Sequence, residues 1–204
     1  MFVLLTVHSR LIGWAQGWNE YGQGYTPSVI TAASLTFGNL QTSGRAVQFT
    51  SRNPIGHARI PASQIGVDGT TLYFSILVRP LEISGGSPDS YFGYGLSDML
   101  LGKPGRSNFY SIEKPSFNIV PTSVQVQPNV TVFLVARVTF RAGNDLVEFW
   151  VNPTPGQPLP APMATKNDAD VSRPSDLGVG GSVRCIFDEY RVGTTWESVS
   201  PTTS

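Results

Sequence analysis

The 204-residue chain has one cysteine, two histidines, and a charged fraction of only 14 %. Cys185 has no second cysteine to pair with. An intrachain disulfide and a zinc site built from two or more cysteines of one chain are therefore excluded. Cys185 sits in the apolar run VRCIFDEYRV (183–192), so it reads as a buried, inert thiol. The charge fraction falls below the ~25 % usual for soluble domains. The 14 basic and 14 acidic residues cancel to a formal net charge of zero. That leaves no basic footprint for nucleic acid and no cationic amphipathic helix for a membrane surface. No segment approaches the ~20 apolar residues of a membrane-spanning helix. No helical stripe of useful length is present, and no repeat of ~20–50 residues that would mark a solenoid or propeller. The apolar run Phe2–Val7 follows no basic residue and is broken by His8, Ser9 and Arg10. It reads as a first strand or a ragged domain start, not as a signal peptide.

What the chain has instead is turn formers and alternation. Gly and Pro number 21 and 16, which points to many short connections. The clearest element is the hairpin Thr131 to Asn152. In its first strand, Thr131–Arg141, the residues Val132, Leu134, Ala136, Val138 and Phe140 share one apolar face, and the other face mixes apolar and polar residues. Gly143, Asn144 and Asp145 form the turn, and Leu146–Val151 returns. Thr71–Arg79 is a second strong strand, ended by Pro80, which has no amide to donate.

Shorter strands are expected at Ala46–Thr50, His57–Ile60, Tyr91–Leu96, Met99–Gly102, Ser107–Ile112, Phe117–Val120 and Val124–Val126, with Val183–Val192 as the last. The aromatic stretch Trp14 to Tyr25 reads as an irregular segment over an edge of the sandwich. Asn152–Pro162 reads as an extended proline-rich crossing, Thr165–Asp176 as a loop, and the end from Val199 as frayed. The glycines of Gly93-Tyr94-Gly95 and Leu177–Ser182 read as turns, since the latter lacks the lysine and helix of a phosphate loop. The fold class is all-β, an antiparallel two-sheet β-sandwich. Residues 1–204 are expected to form one domain, with 1–45 weakly patterned and 193–204 a C-terminal tail.

Three patterns taken together carry a resemblance. They are the strand TLYFSILVRP, the hairpin VTFRAGNDLVEFWVNP, and the end piece FDEYRVGTTWESVSP. In order and spacing, from about Thr71 to Pro201, they resemble the LamG-like jelly-roll domains of the concanavalin A-like lectin/glucanase superfamily. The resemblance implies two face-packed sheets, an exported bacterial protein that is secreted or at the cell surface, and relatives that include binding modules, adhesion domains and polysaccharide-active enzymes. Ca2+ is the cofactor it allows.

The fold does not choose among these functions, so the residues must. Retaining hydrolysis needs two carboxylates about 5 Å apart on one face. On a strand such a pair shows as an i, i+2 spacing, which none of the expected strands carries. Asp188 and Glu189 are adjacent and expected on opposite faces, and Glu148 stands alone. A lyase would need a Tyr or His base, and the one candidate grouping is His57 and Arg59 with Tyr73 nearby. For a metal the candidates are Asp168, Asp170 and Asp188, with Asn167 and Asp176 beside them, although NDAD fails the EF-hand pattern. The acidic pair could instead meet Arg137, Arg184 or Arg191. For sugar binding the outward candidates are Tyr73, Tyr91, Tyr94, Tyr110 and Trp150, with Arg79, Arg137 and Glu148. The leading expectation is a non-catalytic domain that recognises a polysaccharide or other glycan. The alternatives are a structural or adhesion module without a small ligand, and a polysaccharide lyase or hydrolase.

Overall fold

The structure is a computed structural model. It describes residues 19–22, 28–50, 55–59, 61, 63–83, 87–114, 118–174 and 177–203. The run Phe2–Val7, residues 14–18 and 23–25 of the aromatic stretch, Arg52-Asn53-Pro54 and Asp176 lie outside the described residues; within that stretch Asn19–Gly22 is a strand, not irregular.

The strands are β1 (Asn19–Gly22), β2 (Val29–Ile30), β3 (Val47–Phe49), β4 (Ile55–Arg59), β5 (Thr71–Pro80), β6 (Phe92–Leu96), β7 (Met99–Lys103), β8 (Phe109–Lys114), β9 (Asn118–Gln125), β10 (Val132–Thr139), β11 (Asp145–Val151), β12 (Ala164–Ala169), β13 (Leu177–Gly181) and β14 (Cys185–Gly193). One short helix, α1 (Trp196–Val199), follows. The first sheet has the order β1-β4-β13-β6-β7-β8-β9 and the second β12-β11-β10-β5-β14-β3-β2, with antiparallel pairing throughout. The protein is thus an antiparallel two-sheet β-sandwich.

The hairpin supplies its centre. Leu134↔Val151, Ala136↔Phe149 and Val138↔Val147 pair directly, so the apolar residues of both strands share the inward face. β10 also pairs with β5, setting Val132, Leu134, Ala136 and Val138 against Val78, Ile76, Phe74 and Leu72. All eight are buried in the inter-sheet core, opposite Phe92, Leu96, Leu101 and Ile112 of the first sheet.

Several expectations are corrected. Residues 164–169 are a strand, not a loop. Lys166 turns inward there, with its side chain 1 % exposed and Nζ 2.7 Å from Asp168 Oδ1, so the strand shows no plain polar–apolar alternation. An inward lysine on an edge strand also hinders pairing with other chains, as does Pro121 on the opposite edge strand β9. The glycines of 93–95 and 177–181 lie within β6 and β13, not in turns. Two of them stand where strands approach closely: a Cβ on Gly93 would lie 2.5 Å from the Leu101 carbonyl oxygen, and one on Gly181 2.9 Å from the Tyr91 carbonyl oxygen. The tail is tied down as well. Leu40 bridges Thr202, and the Gln41 amide donates to the Pro201 carbonyl at 2.7 Å.

Candidate functional site

The outward face of the second sheet divides into two halves, set by which side chains alternate outward. In the upper half, Phe133 faces out opposite Leu77, and Val135 faces out between Ser75 and Trp150. This half is covered. Leu35 and Leu40 from the N-terminal segment pack on it with Trp196 and Val199 of α1. Phe133 meets Phe37 at 5.7 Å and Trp196 at 6.1 Å between ring centroids. The ring nitrogens of Trp150 and Trp196 donate to the carbonyls of Pro160 (2.9 Å) and Gln157 (2.8 Å), so the proline-rich crossing closes the cover from the other side. The Ser75 hydroxyl donates to the Val199 carbonyl at 2.7 Å.

The N-terminal segment is held by the last strand. β14 carries a bulge between Asp188 and Arg191, with Glu189 in the left-handed region at φ 53°. The bulge corrects the expectation that Asp188 and Glu189 serve opposite faces, because both reach the same segment. Asp188 accepts from the Ser34 hydroxyl (2.5 Å) and the Leu35 amide (2.7 Å), and Glu189 accepts from the Ser43 amide. Arg191 Nη2 donates to Glu189 and to the Gln41 carbonyl, each at 2.5 Å. Burial raises both carboxyl pKa values above their ordinary range and lowers that of Arg191.

Tyr73 packs against the edge of that cluster; beyond it the lower half of the same face carries no such cover among the described residues. Here one row crosses four strands in register: Tyr73, Arg137, Glu148, Thr165. Thr71, Thr139 and Leu146 form the next row. Arg137 holds Glu148 through two parallel bonds, Nε to Oε2 at 2.6 Å and Nη2 to Oε1 at 2.7 Å. Its guanidinium carbon lies 5.7 Å from the Trp150 ring centroid. Tyr73 is a further hydrogen-bond partner, and the bond to Glu148 is the main cause that pushes the arginine pKa above its ordinary value. Side-chain exposure is 35 % for Arg137 and 10 % for Glu148, so the arginine meets solvent while its carboxylate lies beneath.

Of the sugar-binding candidates, the structure brings Tyr73, Arg137 and Glu148 together. It does not add the others. Trp150 is 1 % exposed and supports Arg137 from within the covered half, so it presents no ring to a ligand. Tyr94 and Tyr110 are 0 % exposed on the inward face of the first sheet, which corrects their expected outward position. Tyr91 is half-buried just before β6 of that other sheet, its amide donating to the Ser182 hydroxyl. Arg79 is at the far end of β5, donating to the Thr131 hydroxyl at 2.9 Å. The row is six residues away, about 20 Å along the strand. His57 and Tyr73 lie in different sheets, and Tyr73 is on the outward side of its own, so they share no cleft.

The metal candidates are dispersed. Asp168 is held by Asn118 (3.0 Å) and Lys166, and these bonds lower its pKa. Asp170 accepts from the Ser172 amide at 2.9 Å, and Asp188 is engaged in the β14 clamp. Among the described residues no three His, Cys, Asp or Glu side chains group as a metal site. Sequence reading missed Thr71 and Thr165 as companions of the row. The signal that could have found them is their shared parity with Tyr73, Arg137 and Glu148 on neighbouring strands.

No family model matches the chain, and no curated protein matches it. Among solved structures, domain 4 of AbnA, a GH43 extracellular arabinanase from Geobacillus stearothermophilus solved with arabinotriose, is similar at 11 % identity and TM-score 0.41, over 89 % of this chain and 85 % of that one. The exoplasmic/lumenal domain of VIP36 in its Ca2+/Man-bound form is similar at 9 % identity and TM-score 0.41, over 88 % and 83 %. At these values the likenesses bear on neither ligand nor chemistry. Among the described residues no helix is long and apolar enough to cross a membrane.

Proposed function

We propose that this chain is a LamG-like glycan-recognition domain without catalytic machinery of its own. In this reading the open half of the second sheet's outward face is the binding surface. One observation carries it: an arginine locked in a bidentate pair, beside a half-buried tyrosine, on a rigid sheet and ringed by threonine hydroxyls. A sugar offers an apolar ring face and a rim of hydroxyls. A tyrosine ring answers the first; fixed polar groups answer the second. The open row contains a single carboxylate, Glu148, and both of its oxygens are engaged by Arg137, so no carboxylate pair is available for hydrolysis.

The test is titration of the protein against a panel of soluble polysaccharides, repeated with Tyr73→Ala and Arg137→Ala. At least one polysaccharide should bind, and each substitution should weaken it by about tenfold, or ~1.4 kcal/mol, with the fold intact by circular dichroism. Binding that both variants retain in full would sink the assignment of this surface. No binding at all would favour a structural or adhesion module.

A further inference from the structure

A glycan-binding surface selects between neutral and acidic chains by its uncompensated charge. Here Arg137 is already matched by Glu148 through two hydrogen bonds. Offering the guanidinium to a uronate or sulfate would require pulling it from a carboxylate that is only 10 % exposed, and a carboxylate so buried is costly to leave alone. The other residues of the two rows, Thr71, Tyr73, Thr139, Leu146 and Thr165, carry no charge. On β12 Lys166 points into the sandwich, and the exposed carboxylate of Asp168 is paired with its Nζ at 2.7 Å.

The geometry also sets an extent. Tyr73 to Thr165 crosses three strand spacings, about 14 Å, which exceeds one sugar ring. Arg137 has five N–H donors; Glu148 takes two and Tyr73 is a further partner, so donors remain for a ligand hydroxyl.

Resting on the glycan-recognition reading above, we infer that the ligand is an uncharged polysaccharide chain laid across β5, β10, β11 and β12, with Tyr73 against a sugar face and the Arg137–Glu148 pair and threonines on its hydroxyls.

Isothermal titration of the full chain with xylan, β-glucan and galactomannan, and with polygalacturonate and alginate, tests this at about 0.05 and 0.5 M NaCl. A neutral polymer should bind with affinity unchanged within about twofold across that range, because no counterions are displaced. Tyr73→Ala should weaken it by about tenfold. Two variants at the exposed Thr165, Thr165→Arg and Thr165→Glu, leave the fold alone. They should weaken a neutral polymer alike, whereas an acidic polymer would respond to them in opposite directions. If an acidic polymer binds tighter, depends on Tyr73 and weakens with salt, glycan recognition stands and the neutral-ligand inference falls. If nothing binds, both fall; if a polymer binds and Tyr73→Ala changes nothing, glycan recognition stands and this surface and the inference fall.

Discussion

The two halves of one sheet face invite comparison. They share the strands β5, β10 and β11 and the same alternation, yet one half is a second hydrophobic core and the other an open polar patch. Moving along β10 from Phe133 and Val135 to Arg137 and Thr139 crosses the boundary within five residues. Local propensity does not distinguish them, since both halves form equally regular strand. What differs is whether an aperiodic segment finds apolar side chains to bury against. Residues 35–40, α1 and the proline-rich crossing settle on the apolar half and stop where the outward residues become polar. Among the described residues the polar half stays uncovered beside the covered one.

The sharpest way to break the comparison is to empty the covered half. Phe133 is 0 % exposed and lies between Phe37 and Trp196. Phe133→Ala should cost about 3–5 kcal/mol in urea unfolding. A loss below about 1 kcal/mol would mean that the cover is a loose flap and the two halves are not different in kind. Next comes the pair that defines the open half. Glu148→Gln keeps the shape but removes the charge that fixes Arg137; it should cost about 1–2 kcal/mol and, on the proposed function, weaken polysaccharide binding. Unchanged affinity in that variant would move the binding surface elsewhere.

The fastening of the cover gives a pH signature. Burial holds the Asp188 and Glu189 pKa values above their ordinary range. The folded chain therefore keeps protons that the unfolded chain releases. The stability from these two groups is full below the ordinary carboxylate range and is lost as pH rises through the raised values. The double variant Asp188→Asn/Glu189→Gln lacks this slope. Its melting temperature should fall furthest below that of the wild type at about pH 4 and approach it toward pH 8. A gap that widens with pH would show that the hydrogen bonds to the charged forms outweigh their desolvation.

Much of the sandwich was legible and much of the site was not, for one physical reason. Alternation reports which residues face together, so the inward row from Val132 to Val138 could be read directly and is the core wall. Alternation cannot report what comes to rest on the other face. Trp150 and Arg137 both read as outward, and both are, but the crossing from Asn152 to Pro162 buries the first and leaves the second. Tyr94 was misread although it shares parity with Phe92 and Leu96, and that apolar face is the inward one. The bulge at Glu189 was hidden because an inserted residue reverses parity, and DEY carries no glycine to announce it.

The smallest effect on stability is also the most discriminating for function. Thr139 sits on the open half, paired across β10 and β11 with Leu146, and its hydroxyl lies 3.4 Å from that of Thr71. Thr139→Val preserves the β-branched shape that suits a strand, so stability should stay within about 0.5 kcal/mol. If the threonines serve only as ordinary strand residues, nothing else changes. If they are acceptors and donors for ligand hydroxyls, affinity should fall several-fold with the melting temperature unmoved. Removing the hydroxyl at Ser75, on the covered half, should do the reverse: Ser75→Ala leaves the Val199 carbonyl without its buried donor, costing about 1–3 kcal/mol while binding persists. Opposite outcomes from one chemical change, made at two outward positions of one sheet, would fix the boundary between the half that stabilises and the half that binds.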